Sequence, residues 1–177
     1  MKYFLIGTDE RNKNPYNVNK NRAIDIRLLT RKTAHQIPFW NVVKMDFPRE
    51  GFFPDIISSP CTFLDKICME VVSMYEPDIP FKVVKIMDKK EGVNRTYFLP
   101  ILEEVDCMSD KTQFHVMGKR VIHLVLNKEK IGQKAVFKVK GWDARGMVVR
   151  LDVAESIIRR KARGIMLEEI ELEEKKE

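Results

Sequence analysis

Apolar and polar positions change period several times along the chain, and each change predicts an element. Tyr3 to Ile6 is a short aromatic and branched run that stops at Gly7-Thr8-Asp9, which predicts a first strand. Residues 9–22 are polar and rich in Asn, without a period, and predict a loop. Ile24-Asp25-Ile26-Arg27-Leu28 alternates apolar and polar, as a half-buried strand does. Phe39 to Val43 is a further apolar run, bracketed by Pro38 and Pro48. The period then becomes helical. Ser59 can cap a helix and Pro60 suits its first position, where no amide hydrogen is needed. Phe63, Leu64, Ile67, Cys68, Val71, Val72 and Tyr75 follow at spacings of three and four, so a helix is expected over about 60–75, ended by Glu76-Pro77.

Strands dominate the next seventy residues. Phe81 to Met87 and Arg95 to Ile101 flank a turn-like Glu91-Gly92-Val93-Asn94. Val121 to Leu126 is almost wholly apolar and predicts a central strand buried on both faces. Ala135–Val139 and Met147–Leu151 flank a loop from Gly141 to Gly146, as two antiparallel strands do. A second helix is expected over 153–163. Asp152 and Glu155 have capping-box spacing, Val153, Ala154, Ile157 and Ile158 make the stripe, and Gly164 suits a left-handed cap. Ile165 to Leu172 predicts a last short strand before a charged tail.

Together these elements predict an α+β fold with a mainly antiparallel sheet and two principal helices. Residues 1–177 are expected to form a single domain, or two subdomains meeting near 103–118. The expected core includes Leu64, Ile67, Val71, Ile122, Leu124, Val136, Val149 and Ile157. Composition changes this picture little: 44% hydrophobic and 33% charged residues exclude a collagen-like, disordered or low-complexity chain.

Charge adds more. The formal net charge is +6, but residues 119–164 alone hold 13 basic and 4 acidic side chains. Such a block attracts nucleic acid, an anionic surface or an acidic protein, or is simply a solvated face. Its members Lys138, Lys140, Arg145, Arg150, Arg159, Arg160, Lys161 and Arg163 form the nucleic-acid candidate, an alternative with few aromatic residues to stack on bases. No apolar run is long enough to span a membrane or to form a signal-peptide core, so no membrane partner and a cytoplasmic location are expected. Three cysteines, Cys61, Cys68 and Cys107, form neither a disulfide framework nor a zinc spacing, and free buried thiols are expected.

No catalytic, metal-binding or cofactor-binding set stands at a recognisable spacing, and no cofactor is expected. His35, His115 and His123 are isolated from one another in sequence, and His123 lies inside an apolar run, as a core histidine would. Cys61 would stand on the first turn of the predicted helix, where a thiolate can be stabilised. The carboxylates are more suggestive. Glu103, Glu104, Asp106 and Asp110 cluster after Ile101-Leu102, with Glu168 and Glu169 as a second group. Clustered carboxylates can hold a divalent cation, do acid–base work or face a basic partner.

Three segments together carry a family resemblance: Asp55-Ile56-Ile57-Ser58-Ser59-Pro60, Tyr97-Phe98-Leu99-Pro100-Ile101-Leu102-Glu103-Glu104-Val105-Asp106-Cys107, and Arg150-Leu151-Asp152-Val153-Ala154-Glu155-Ser156 running on to Arg163-Gly164-Ile165. With the opening Tyr3-Phe4-Leu5, they resemble the bacterial immunity proteins of polymorphic-toxin systems, a family formerly catalogued as a domain of unknown function. The resemblance implies a small cytoplasmic protein, not an enzyme, that binds and blocks a cognate toxin domain such as a nuclease. On that reading Glu103, Glu104, Asp106 and Asp110 are the first candidates for toxin contact, and Glu168 and Glu169 the second. The alternatives are a nucleic-acid-binding module or an enzyme that uses Glu103 and Asp106.

Overall fold

The structure is a computed structural model that describes residues 1–12, 18, 22–44, 52–88, 92–116, 120–142 and 146–173. In chain order, β1 (Tyr3–Thr8) leads to two single turns of 3-10 helix, Ile26–Leu28 and Ala34–Gln36. β2 (Trp40–Lys44), β3 (Ile56–Ile57) and β4 (Phe63–Leu64) precede α1 (Lys66–Tyr75). β5 (Phe81–Met87), β6 (Asn94–Pro100), β7 (Glu104–Val105), β8 (Gln113–Phe114), β9 (Val121–His123) and β10 (Val125–Leu126) follow. The one-turn α2 (Lys128–Ile131), β11 (Val136–Val139), β12 (Met147–Arg150), α3 (Leu151–Arg159) and β13 (Ile165–Leu172) complete the order.

Six strands are ordered β10-β13-β1-β12-β11-β7. β1 lies between β12 and β13, antiparallel to both, with Tyr3 opposite Arg150 on one side and Ile170 on the other. The two ends of this sheet meet. β7 pairs with β11, and just beyond it Met108 bridges Leu126 of β10. Ser109 donates its N–H to Val125 O at 2.9 Å, and Asn127 donates to Cys107 O at 2.8 Å. Residues 104–109 therefore bond to β11 at one end and β10 at the other, and the sheet closes into a small barrel.

Strand alternation then sorts the side chains. Tyr3 and Leu5 of β1, Phe137 and Val139 of β11, Val148 of β12, Ile170 and Cys107 fill the barrel. Tyr3 meets Phe137 edge to face at 5.8 Å between centroids. Residues of opposite parity, Ile6, Val136, Met147 and Val149, turn outward onto α1 (Cys68, Val71, Val72) and α3 (Val153, Ala154, Ile157). Ile56 and Leu64 join this layer from a second sheet, ordered β2-β5-β6-β4-β3. The far face of that sheet buries Val43, Val84, Ile86, Tyr97 and Leu99 against Val18 and Ile24. The fold is thus α+β with two principal helices, and its sheets are mixed. Most pairings are antiparallel, whereas β2–β5, β7–β11 and β10–β13 are parallel.

Several local expectations are corrected. Residues 24–28 are not a strand. The Asp25 carboxylate accepts the Arg27 N–H at 3.1 Å and pairs with its guanidinium, which turns the backbone into the first 3-10 turn and leaves Ile26 exposed. The first long helix starts at Lys66, not near Pro60, because Asp65 is its cap and accepts the Cys68 N–H at 2.8 Å. Phe63 and Leu64 belong to β4 and point to opposite cores, so they continue a strand and not the helical stripe. Ile67 then falls beside the stripe and is exposed.

The apolar run 121–126 is not one central strand. It changes partner at Leu124: β9 pairs with β8 in a separate hairpin, and β10 enters the barrel. Leu124 is buried but Ile122 is 63% exposed. His123 is no core residue; it is exposed and hydrogen-bonds the Glu171 carboxylate at 2.8 Å. The last helix lacks the expected capping box. Asp152 clamps Arg150 at 2.7 Å while Glu155 pairs forward with Arg159. The left-handed residue after this helix is Lys161, not Gly164. Gly164 also has positive φ, but at the entry to β13, where a Cβ would lie 2.8 Å from the Pro54 Cβ.

Candidate functional site

The closing strand of the barrel positions the first group of carboxylates. Val105 and Cys107 turn into the barrel, so alternation turns Glu104 and Asp106 outward, and both are exposed. Glu104 also lines a surface cavity of about 350 Å³ with Lys138, Gly141, Trp142 and Val148. Asp106 pairs with Lys140 at 3.2 Å, and both side chains are largely in solvent. Such a pair contributes little to stability, so a partner's cation can replace Lys140. Asp110 is exposed in the following turn.

Glu103 differs from its neighbours. Its carboxylate accepts the Lys134 ammonium at 2.6 Å, and Arg31 lies 3.7 Å away. The hydrogen bond from Lys134, with the positive charge of Lys134 and Arg31, holds the Glu103 carboxyl below the usual glutamate range. A depressed pKa stabilises the fold above the unfolded value of about 4.3 and loses that effect as pH falls through the folded value. Glu103→Gln should therefore unfold at lower urea than the wild type at pH 7, and the gap should close below about pH 4. A gap that does not change with pH would contradict this role.

The second carboxylate group is elsewhere. Glu168 and Glu169 lie on β13, which is separated from the closing strand by β10, and Glu169 is paired with Lys2 at 2.8 Å. The structure brings Glu103, Glu104 and Asp106 together and leaves Glu168 and Glu169 as a separate patch.

Part of the basic stretch is tied to carboxylates. Lys134 goes to Glu103, Lys140 to Asp106, Arg150 to Asp152 and Arg159 to Glu155. Arg163 stacks its guanidinium over Phe52 at 5.6 Å. Arg145 lies outside the described residues. The positive charge of 119–164 is thus spread over several elements and compensated in part.

All three thiols are free and buried. Burial pushes Cys61 up to about 12 and Cys107 up to about 11, and raises Cys68 as well. Cys61 precedes β4 and is not on a helix, so the helix dipole expected to favour its thiolate does not act there. Among the described residues, no group of three or more His, Cys, Asp and Glu could hold a metal ion, and no helix is long and apolar enough to cross a membrane.

One surface was not anticipated. Phe39, Trp40 and Val42 of the apolar run 39–43 are exposed, while Asn41 and Val43 are buried. The available signal was the alternation of Trp40, Val42 and Lys44 with Asn41 and Val43. No protein-family model matches the chain, and no curated protein matches it.

Proposed function

We propose that this protein acts by binding: it is an immunity-type protein that holds and blocks a cognate bacterial toxin domain in the cytoplasm. One observation carries the choice of surface. Glu104 and Asp106 project outward from a strand that is hydrogen-bonded toward both neighbours, β11 and β10. Carboxylates on a braced strand keep their places before the partner arrives, which lowers the ordering cost of association. Their field speeds the encounter with a basic cleft such as a nuclease presents. Asp110 extends the row, and Glu103 serves it from behind by anchoring Lys134 and Arg31. The family resemblance supplies the kind of partner.

The test is the double reversal Glu104→Lys with Asp106→Lys, co-expressed with the toxin domain. Glu103 is kept because its reversal would also break a structural contact. Toxin affinity should fall by about 100-fold, as loss of close charge pairs does, and the urea midpoint should move little. Unchanged protection of growth by the double variant would exclude this surface.

A further inference from the structure

Among the described residues, β2 has a strand neighbour on one side only, because the second sheet runs β2-β5-β6-β4-β3. The opposite end of that sheet is covered: Thr8 of β1 donates to Ile56 O at 3.0 Å and accepts the Ser58 N–H at 2.9 Å. In a parallel ladder, every second residue turns both backbone groups to its neighbour, and those between turn both away. Val83 donates its N–H to Phe39 O at 2.8 Å, so Phe39, Asn41 and Val43 face β5. Trp40 and Val42 therefore hold N–H and C=O outward, toward the open side. Their side chains are 64% and 52% exposed, and Phe39 braces Trp40 edge to face at 6.1 Å. Proteins usually blunt an open edge of this kind, because it pairs readily with another strand.

Charge decides what that strand is. β2, β5 and β6 together contain Lys44, Lys82, Lys85 and Arg95 and no Asp or Glu. Lys85 is in register with Val42, so its side chain shares the face of Trp40 and Val42. Residues 22–44 add Arg22 and Lys32, while Arg27 is paired with Asp25 and Arg31 lies 3.7 Å from Glu103. A second copy of this chain would bring its own lysines to the same edge, and like charges across paired strands are destabilising.

We infer that the β2 edge is a docking site for an extended acidic segment of a protein partner, which joins the sheet as a sixth strand beside Trp40 and Val42. Main-chain bonds to Trp40 and Val42 hold the segment. Its carboxylates lie on the face of Trp40 and Val42, where they meet Lys85, and its alternate apolar side chains turn to the other face, beside Asn41 and Val43. This surface is distinct from the Glu104 and Asp106 row, and it stands whether or not the partner of that row is a toxin.

The probe is a fluorescein-labelled octapeptide of alternating Glu and Val, titrated into the full chain at low salt and followed by anisotropy. The control is the same peptide with Lys for Glu. The Glu peptide should bind at least about tenfold more tightly than the Lys peptide, and added salt should weaken it. Hydrogen exchange should slow at the Trp40 and Val42 amides. Val42→Pro removes an outward N–H without touching the ladder and should abolish this gain in protection. Lys85→Glu should reverse the peptide preference, and it decides the matter if Val42→Pro does not fold. Equal binding of both peptides, absence of binding, protection confined to another strand, or self-association of the chain through β2 would each overturn the inference.

Discussion

Replacing Gly146 with alanine is expected to do more damage than any other single methyl added to this fold. Gly146 enters β12 with φ +134, a conformation that side chains rarely adopt. It also lies against β1: an added Cβ would fall on the Ile6 carbonyl oxygen, 3.0 Å from the Ile6 carbonyl carbon and 3.3 Å from a Leu5 methyl. The first two obstacles are backbone and cannot rotate aside. β1 is the strand on which the barrel turns, since β12 and β13 both pair with it. Relief of the clash would therefore loosen a pairing that holds Ile6 to Met147. A loss of about 3 kcal/mol or more in urea unfolding is expected, which is a large share of a typical 5–15 kcal/mol. A loss below about 1 kcal/mol would show that β1 and β12 do not approach as described.

Phe137→Ala should have the second largest effect. Phe137 is fully buried inside the barrel against Tyr3. Deleting its ring leaves a cavity lined by strands that are fixed by closure and cannot collapse into the space. A cost of about 3–5 kcal/mol in urea unfolding is expected, as for other buried aromatic truncations. Ile122→Ala is the matched control. Its side chain is exposed on the β8–β9 hairpin, so its change should stay within about 0.5 kcal/mol. Similar losses at the two positions would contradict the division between barrel and hairpin.

That contrast also shows what was legible in the chain. Strands with one consistent environment, such as β5, β6, β11, β12 and β13, are read almost to the residue from their apolar runs. The two longer helices were legible in place but not in their starts, because Asp65 and Ser59 are both good caps and only tertiary pairing of Phe63 and Leu64 chooses between them, and the one-turn α2 left no period to read. The run 121–126 is uniform in hydropathy, yet it serves two partners, and no local signal marks the change at Leu124. Barrel closure was invisible, because it rests on backbone bonds of residues 107–109 that no side-chain period reports. For the candidate site, the sequence shows the carboxylates clustered at 103–106 but could not show that Glu103 is engaged by Lys134 while Glu104 and Asp106 face solvent. Those differences depend on β11 and on the loop before it lying alongside.

The central claim is that the protein works by occupying a toxin domain. The most direct measurement is titration calorimetry of the wild-type chain against a purified cognate toxin domain, with toxin activity assayed in the same mixtures. The account predicts a 1:1 complex with Kd below about 0.1 µM and toxin activity that falls in step with occupancy. No heat of binding at about 100 µM, or turnover of a substrate by the chain alone, would contradict it.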